Sequence, residues 1–322
     1  PIVVENVLIS TSLITQKFYP NSIEDEHDTS AIDIKDTTLK DIVTAGKNVL
    51  VGDNVKIGKN CLIGHNSIIE RNVQIGDNCK IGSNTILRNS VIKDNVTILD
   101  NCVIGKKGFG FFPSQNKNLR YPHIGIVIIN ENSEIGCGST IDRGSLSNTE
   151  IGKNTFLDNQ IHIAHNVKIG ENTIIAGQVG IAGSSIIGNN VKIGGQAGIS
   201  GHLRVGNNVE IGGGSGVIKD IPDNTKGGGG ITKIGNGCLF MVSSHIAHDC
   251  LVEDNVILAN NVPLGGHAHI EQNVIIGGNS AVQQFTRVGK FAMIGGMCGV
   301  VRDIIPYAMV HGNRSVLQGL NL

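Results

Sequence analysis

From Ile151 to Ile211 a branched aliphatic residue returns at every sixth position: Ile151, Leu157, Ile163, Ile169, Ile175, Ile181, Ile187, Ile193, Ile199, Val205 and Ile211. A helix repeats its buried face every ~3.6 residues and a flat strand every ~2, so this period fits neither. Three such edges close a coil of about 18 residues, the signature of a parallel β-helix built from hexapeptide repeats. The same beat runs from Val51 through Ile57, Ile63, Ile69, Ile75 and Ile81 to Leu87, slips by one residue, and continues at Ile92, Ile98 and Ile104. It returns from Ile234 to Val300. The chain is therefore expected to be all-β and mostly one solenoid. Coils would stack at the ~4.8 Å strand spacing with branched residues along the axis. Gly and Asn after the branched residue, as in Ile57-Gly58-Lys59-Asn60, are read as corners that need φ > 0.

Three stretches break the beat. Residues 1–24 carry Ile2-Val3-Val4, which resembles a strand end, and a short helical pattern from Ser10 to Phe18 stopped by Tyr19-Pro20. Lys106 to Ile124 holds Gly108-Phe109-Gly110-Phe111-Phe112-Pro113, a loop ejected from the solenoid that suits either binding or packing on the coil surface. The last break contains Gly227 to Gly230, a linker by composition.

Composition narrows the function classes. The 322 residues are 40% hydrophobic but only 3% aromatic, as a long thin aliphatic core requires. Lys and Arg number 26 against 27 Asp and Glu, so a net charge of -1 gives a nucleic-acid role no electrostatic support. No apolar run reaches the ~18 residues of a membrane span and no signal peptide opens the chain, so a cytoplasmic protein is expected. Seven cysteines without a C-x-x-C pair are read as free thiols, although Cys61 and Cys79 stand one coil apart.

The chemistry lies with the histidines. His-Ile-Ala-His occurs at residues 162–165 and again at 245–248, in the same register of the repeat. One coil beyond His165 and His248 the sequence places Gly183 and Gly266. A histidine accepts a proton near neutral pH, and a bare glycine lets an acyl group approach a backbone N–H that stabilises an oxyanion. His202 follows His165 by two coils, too far for a direct hydrogen bond, whereas His267 follows His248 by one, so different substrates are expected in the two halves. No metal centre is expected, because the histidines pair with glycines and amides rather than converging carboxylates or thiolates.

Residues from about 25 to 226 resemble UDP-3-O-(3-hydroxyacyl)glucosamine N-acyltransferase, an enzyme of lipid A synthesis. The resemblance rests on Gly108-Phe109-Gly110, Thr140-Ile141-Asp142-Arg143-Gly144, Leu157-Asp158-Asn159-Gln160, Ile163-Ala164-His165-Asn166-Val167 and Ser200-Gly201-His202. Residues 231–322 instead resemble UDP-N-acetylglucosamine O-acyltransferase, through His245-Ile246-Ala247-His248-Asp249-Cys250, Leu258-Ala259-Asn260-Asn261, Gly265-Gly266-His267, Gln284-Phe285 and His311-Gly312-Asn313. Gln283 departs from the second family, which usually carries a His before that Gln.

The resemblance implies a left-handed β-helix in a cytoplasmic homotrimer, with the site between neighbouring subunits. The acyl donor would be the 4'-phosphopantetheine thioester of acyl carrier protein, the acceptor a UDP-sugar, with no bound cofactor. His165 would be the base and Gly183 the oxyanion donor, supported by Asp158, Asn159 and His202. In the second segment His248 would be the base, Asp249 its orienting partner and Gly266 the oxyanion donor, with His245, His267 and Gln284 contacting substrate. Residues 1–24 would be the remnant of a uridine-binding domain, 25–226 an N-acyltransferase-like β-helix, 227–230 a seam and 231–322 an O-acyltransferase-like segment. The expected activity is N-acylation; the alternatives are O-acylation by the second segment, an inactive composite trimeric scaffold, or a generic coenzyme A acyltransferase. Lys168 and Arg204, in one column, form a candidate landing patch for the acidic carrier protein.

Overall fold

The computed structural model describes residues 3–113, 118–227 and 232–321. The chain forms two compact units, Pro1–Gly227 and Gly228–Leu322. Ile2 and Gly228–Gly230, to which the strand-end and linker expectations partly refer, lie outside the described residues.

In the first unit the hexapeptide beat folds into sheets of ten, eight and ten strands, parallel except where Ile32–Asp33 pairs antiparallel with Leu50–Val51 at one edge. Register follows the sequence period: Ile163 pairs with Ile181, Ile175 with Ile193 and Ile187 with Val205. Each two-residue strand points one side chain out and one in, as with exposed Lys56 and buried Ile57. The inward residues form one continuous aliphatic core from Ile34 to Val217. The one-residue slip shortens a coil, so that Ile75 pairs with Ile92. The second break leaves the solenoid as an antiparallel hairpin of Phe111–Pro113 and Asn118–Arg120, after which Val127–Ile129 rejoins the stack beside Ser90–Ile92.

Corner chemistry follows the expectation for asparagine and departs from it at Gly58. The left-handed residue of the turn is Asn60 (φ 56°), Asn166 (φ 63°) or their equivalents. Gly58 is required for another reason: a Cβ there would stand 2.2 Å from Asp77 Oδ1 and 2.6 Å from the Gly76 carbonyl carbon. Coil-to-coil proximity, not φ, selects that glycine. Cys61 and Cys79 are free and buried, and their thiols donate to the carbonyls of Gly76 (3.1 Å) and Lys93 (3.0 Å). Ser67 does the same toward Gly82 at 2.8 Å, so these small polar residues stitch successive coils.

At the front of this unit a helix spans Val7–Phe18, capped by Asn6 Oδ1 accepting from the Ile9 N–H at 3.0 Å. It starts earlier than the apolar pattern suggests because Asn6 supplies the cap. Val3, 94% exposed, and Val4 form no strand, correcting the strand-end expectation.

The second unit holds parallel-stacked sheets of four, six and four strands, with Ile246 opposite Leu264 and Leu258 opposite Ile276. Its core runs from Cys250 to Val310, while Ile234, first in the beat, is 50% exposed. An antiparallel hairpin of Ala308–His311 and Val316–Leu320 ends the unit. Among the described residues no helix is long and apolar enough to cross a membrane.

Candidate functional site

His165 occupies the corner between the strands His162–Ile163 and Lys168–Ile169. Asn166 makes the turn, and its side chain is committed within it. Its Nδ2 donates to the Ser147 carbonyl and hydroxyl, and its Oδ1 accepts from the N–H and Oγ of Ser145. The same Oδ1 lies 2.9 Å from His165 Nδ1. An amide oxygen only accepts, so Nδ1 carries the ring proton and Nε2 keeps its lone pair. One coil on, Gly183 passes so close that a Cβ would stand 2.6 Å from Cε1 and 2.7 Å from Nε2 of His165. Ala182 and Ser184 donate their N–H groups to Ile199 and His165, but the Gly183 N–H has no acceptor among the described residues. A free imidazole nitrogen and a free backbone donor thus stand side by side.

An open groove of about 610 Å³ starts at His165 and His162 and runs along one face of the solenoid. Its floor is paved by Gly180, Gly198 and Gly216, where an added Cβ would meet nothing within 4 Å. Phe109, from the ejected loop, forms part of the wall. Phe109 and Phe111 pack edge to face at 4.8 Å while Gly108 lies against His165, so the loop both packs on itself and reaches the site.

Three further groups surround His165. His123, 2% exposed, sets its ring edge-on to His165 at 5.2 Å. Burial, reinforced by the neighbouring His165, pushes its pKa down to about 4, so it is neutral. Its Nε2 is buried without a partner among the described residues. His162 places Nδ1 2.8 Å from Thr140 Oγ1 and Nε2 3.9 Å from Asp142 Oδ2. Burial and His165 both lower the His162 pKa. The Asp142 carboxyl is raised to about 7 by burial, with Lys106 pulling the other way.

The second unit repeats the pair with a charge added. His248 Nδ1 lies 2.8 Å from Asp249 Oδ2, and a Cβ on Gly266 would stand 2.7 Å from His248 Nε2. The N–H groups of Gly265 and His267 donate to Val282 and His248, leaving that of Gly266 without an acceptor among the described residues. His267 Nε2 approaches the same Asp249 oxygen at 3.5 Å, and Phe285 stacks on the His267 ring at 4.6 Å. His248, Asp249 and His267 each offer a ligand atom within 4.8 Å of the others. A carboxylate does converge on the histidines here, which corrects the reason given for expecting no metal. The His248–Asp249 hydrogen bond gathers two of these groups, and the approach of His267 to the same carboxylate oxygen brings the third.

The remaining candidates are dispersed. Asp158 and Asn159 form the preceding corner, across the groove-bearing face from His165, and bind backbone N–H groups of Gly177 (3.0 Å) and Cys137 (2.7 Å). His202 (φ 61°) stands two coils above Asn166 and donates its N–H to Gly183 O at 3.0 Å. His245 projects from a strand paired with Pro263, and Gln284 is exposed one coil beyond Gly266. Lys168 is paired with Glu150, which removes most of its pull on an acidic partner. The sequence reading gave no role to His123, His162 or Asp142. His162 was accessible to it as the counterpart of His245.

Among family profiles, Bacterial transferase hexapeptide (six repeats) matches residues 148–183 and GMPPB C-terminal domain matches residues 45–108. The hexapeptide match accords with the observed coils. An acyl-[acyl-carrier-protein]–UDP-N-acetylglucosamine O-acyltransferase of Anaeromyxobacter sp. (strain K) is 50% identical over 97 residues, 30% of this chain and 38% of that protein. The Sinorhizobium fredii protein of the same name is 49% identical over 94 residues, covering 29% and 35%. The chain thus spans well under half of the relatives it matches. Solved UDP-N-acetylglucosamine acyltransferases from Campylobacter jejuni (18% identity, TM-score 0.37, 86% of this chain and 75% of that one) and Francisella novicida (22%, 0.35, 86% and 71%) are also similar.

Proposed function

We propose that this chain is an acyltransferase of lipid A synthesis that takes a 3-hydroxyacyl group from the phosphopantetheine thioester of acyl carrier protein. Its first unit delivers the group to the 2-amino nitrogen of UDP-3-O-acylglucosamine. The observation that carries the reading is the free Nε2 of His165 beside the free N–H of Gly183. The neutral amine attacks the thioester carbon, His165 Nε2 takes the nitrogen's proton, and the Gly183 N–H receives the developing oxyanion. Collapse breaks the C–S bond, and the imidazolium returns its proton to the departing thiolate. The glycine-floored groove suits an extended acyl or pantetheine chain, since no side chain obstructs it.

The contrast between Asn166 and Asp249 supports amine transfer at the first site. An amine is already nucleophilic, so its base needs only the right tautomer. A sugar hydroxyl gains more from a carboxylate behind the base. Asp249 sets that carboxylate against His248 Nδ1 where Asn166 sets a neutral amide against His165, which favours O-acylation of UDP-N-acetylglucosamine as a second activity, at the second unit. The names of the curated relatives agree with that second activity. Asp158 and Asn159 lie across the face from His165, so they join its site only if a neighbouring copy supplies them, as in a homotrimer. Transfer of a radiolabelled acyl chain from acyl carrier protein to the two UDP-sugars, offered in parallel, tests the reading. Label on the amine sugar is expected; label on neither overturns it.

A further inference from the structure

An amine acceptor presents a difficulty that a hydroxyl does not. A 2-amino sugar titrates near the α-amino range, roughly 8, so at neutral pH it arrives mostly as an ammonium and must lose one proton before it can attack. His165 is needed for the second proton, lost as the C–N bond forms. A separate acceptor is required for the first.

Asp142 and His162 stand where such an acceptor is needed. His162 lines the same groove as His165, with half of its side chain exposed, whereas the Asp142 side chain is 10% exposed. Thr140 Oγ1 holds the far nitrogen of His162 at 2.8 Å, leaving Nε2 toward the Asp142 carboxylate 3.9 Å away. Asp142 is not among the sealed, unpartnered polar atoms of the described residues, so its carboxyl keeps a small opening to solvent beside His162. A bulge on the neighbouring strand, between Ile104 and Lys106, brings Lys106 opposite Asp142.

We infer that the Asp142–His162 pair receives the first proton of the ammonium acceptor. The N–H bond breaks toward the pair, the freed amine attacks the thioester, and the captured proton leaves to water through the exposed edge of His162. This rests on the amine-transfer reading of the first site. The charged and titratable groups around Asp142 are Lys106 on the preceding coil, Asp25 from the N-terminal segment and its neighbour Arg143. His165 faces His162. Burial, with Asp25 adding to it and Lys106 opposing it, holds the carboxyl at about 7, close enough to the acceptor to exchange a proton with it.

The test is kcat/KM for amine acylation by wild type, Asp142→Asn and His162→Gln from pH 6 to pH 9. Asp142→Asn is expected to lower kcat/KM about 10- to 100-fold at pH 6.5, with the deficit shrinking below about threefold at pH 9, where free amine is abundant. His162→Gln should follow the same profile, and it decides the matter if Asp142→Asn does not fold. A deficit independent of pH marks a merely structural role and overturns the inference, as does no deficit. Absence of amine acylation by the wild type overturns the underlying reading, and this inference with it.

Discussion

Nδ1 of His165 and Oδ1 of Asn166 lie 2.9 Å apart, and this contact decides which ring nitrogen is free to act. The same amide oxygen accepts from Ser145 N at 3.1 Å, which fixes its orientation and through it the tautomer of the histidine. In the second unit Asp249 takes the place of the amide at 2.8 Å from His248 Nδ1. One hexapeptide corner thus sets a neutral amide behind one histidine and a carboxylate behind the other.

Changing the orienting residue should therefore act differently at the two sites. Asp249→Asn keeps the shape and removes the charge, so hydroxyl acylation should fall on the order of 10²–10⁴-fold with the fold intact. Asn166→Ala also strands the bonds to Ser145 and Ser147, so it should cost about 1–3 kcal/mol of stability in addition to amine acylation. Steady-state rates read beside urea unfolding curves check both.

A methyl group at Gly183 has no room beside the His165 ring. Gly183→Ala should lower kcat for amine acylation at least about 100-fold by displacing base and oxyanion donor together. Gly266→Ala should do the same to hydroxyl acylation. Wild-type rates in either variant would mean that the glycine N–H is not aimed at the reacting carbonyl.

His123 links stability to acid. Its folded pKa of about 4 lies below the ordinary value of 6.5, so its contribution is present above pH 6.5 and is lost as pH falls toward 4. Asp142 acts in the opposite sense: with its pKa raised from 3.8 to about 7, stability is lost as pH rises through that window. His123→Gln, which cannot protonate, should shrink the drop in Tm between pH 7 and pH 5. A drop equal to that of the wild type would show that His123 is not buried in neutral form.

The solenoid was legible because the beat survives in single letters, and the pairing of His165 with Gly183 follows from one coil of spacing. The spacing also contained more than was read from it. His267 is one coil above Asp249, hence its position on that carboxylate, but counted from His248 it is merely a neighbour. His123 was not legible because it lies in the segment that leaves the repeat, where no register assigns a neighbour. Asp142 faces a bulge on the neighbouring strand, so the coil register does not give Lys106 as its partner. Glycines such as Gly138 and Gly214 do take the φ > 0 corner, but Gly58, directly after the branched residue, was explained wrongly, since close approach between coils leaves no mark in the sequence of one coil.

Amine acylation by His165→Ala, measured beside His248→Ala with both acceptor sugars, tests the division of labour most directly. His165→Ala should lose about 10²–10⁴-fold in kcat on the amine sugar and keep transfer to the hydroxyl sugar, with His248→Ala showing the reverse. Undiminished amine acylation in purified, folded His165→Ala would contradict the assignment of His165 as the base.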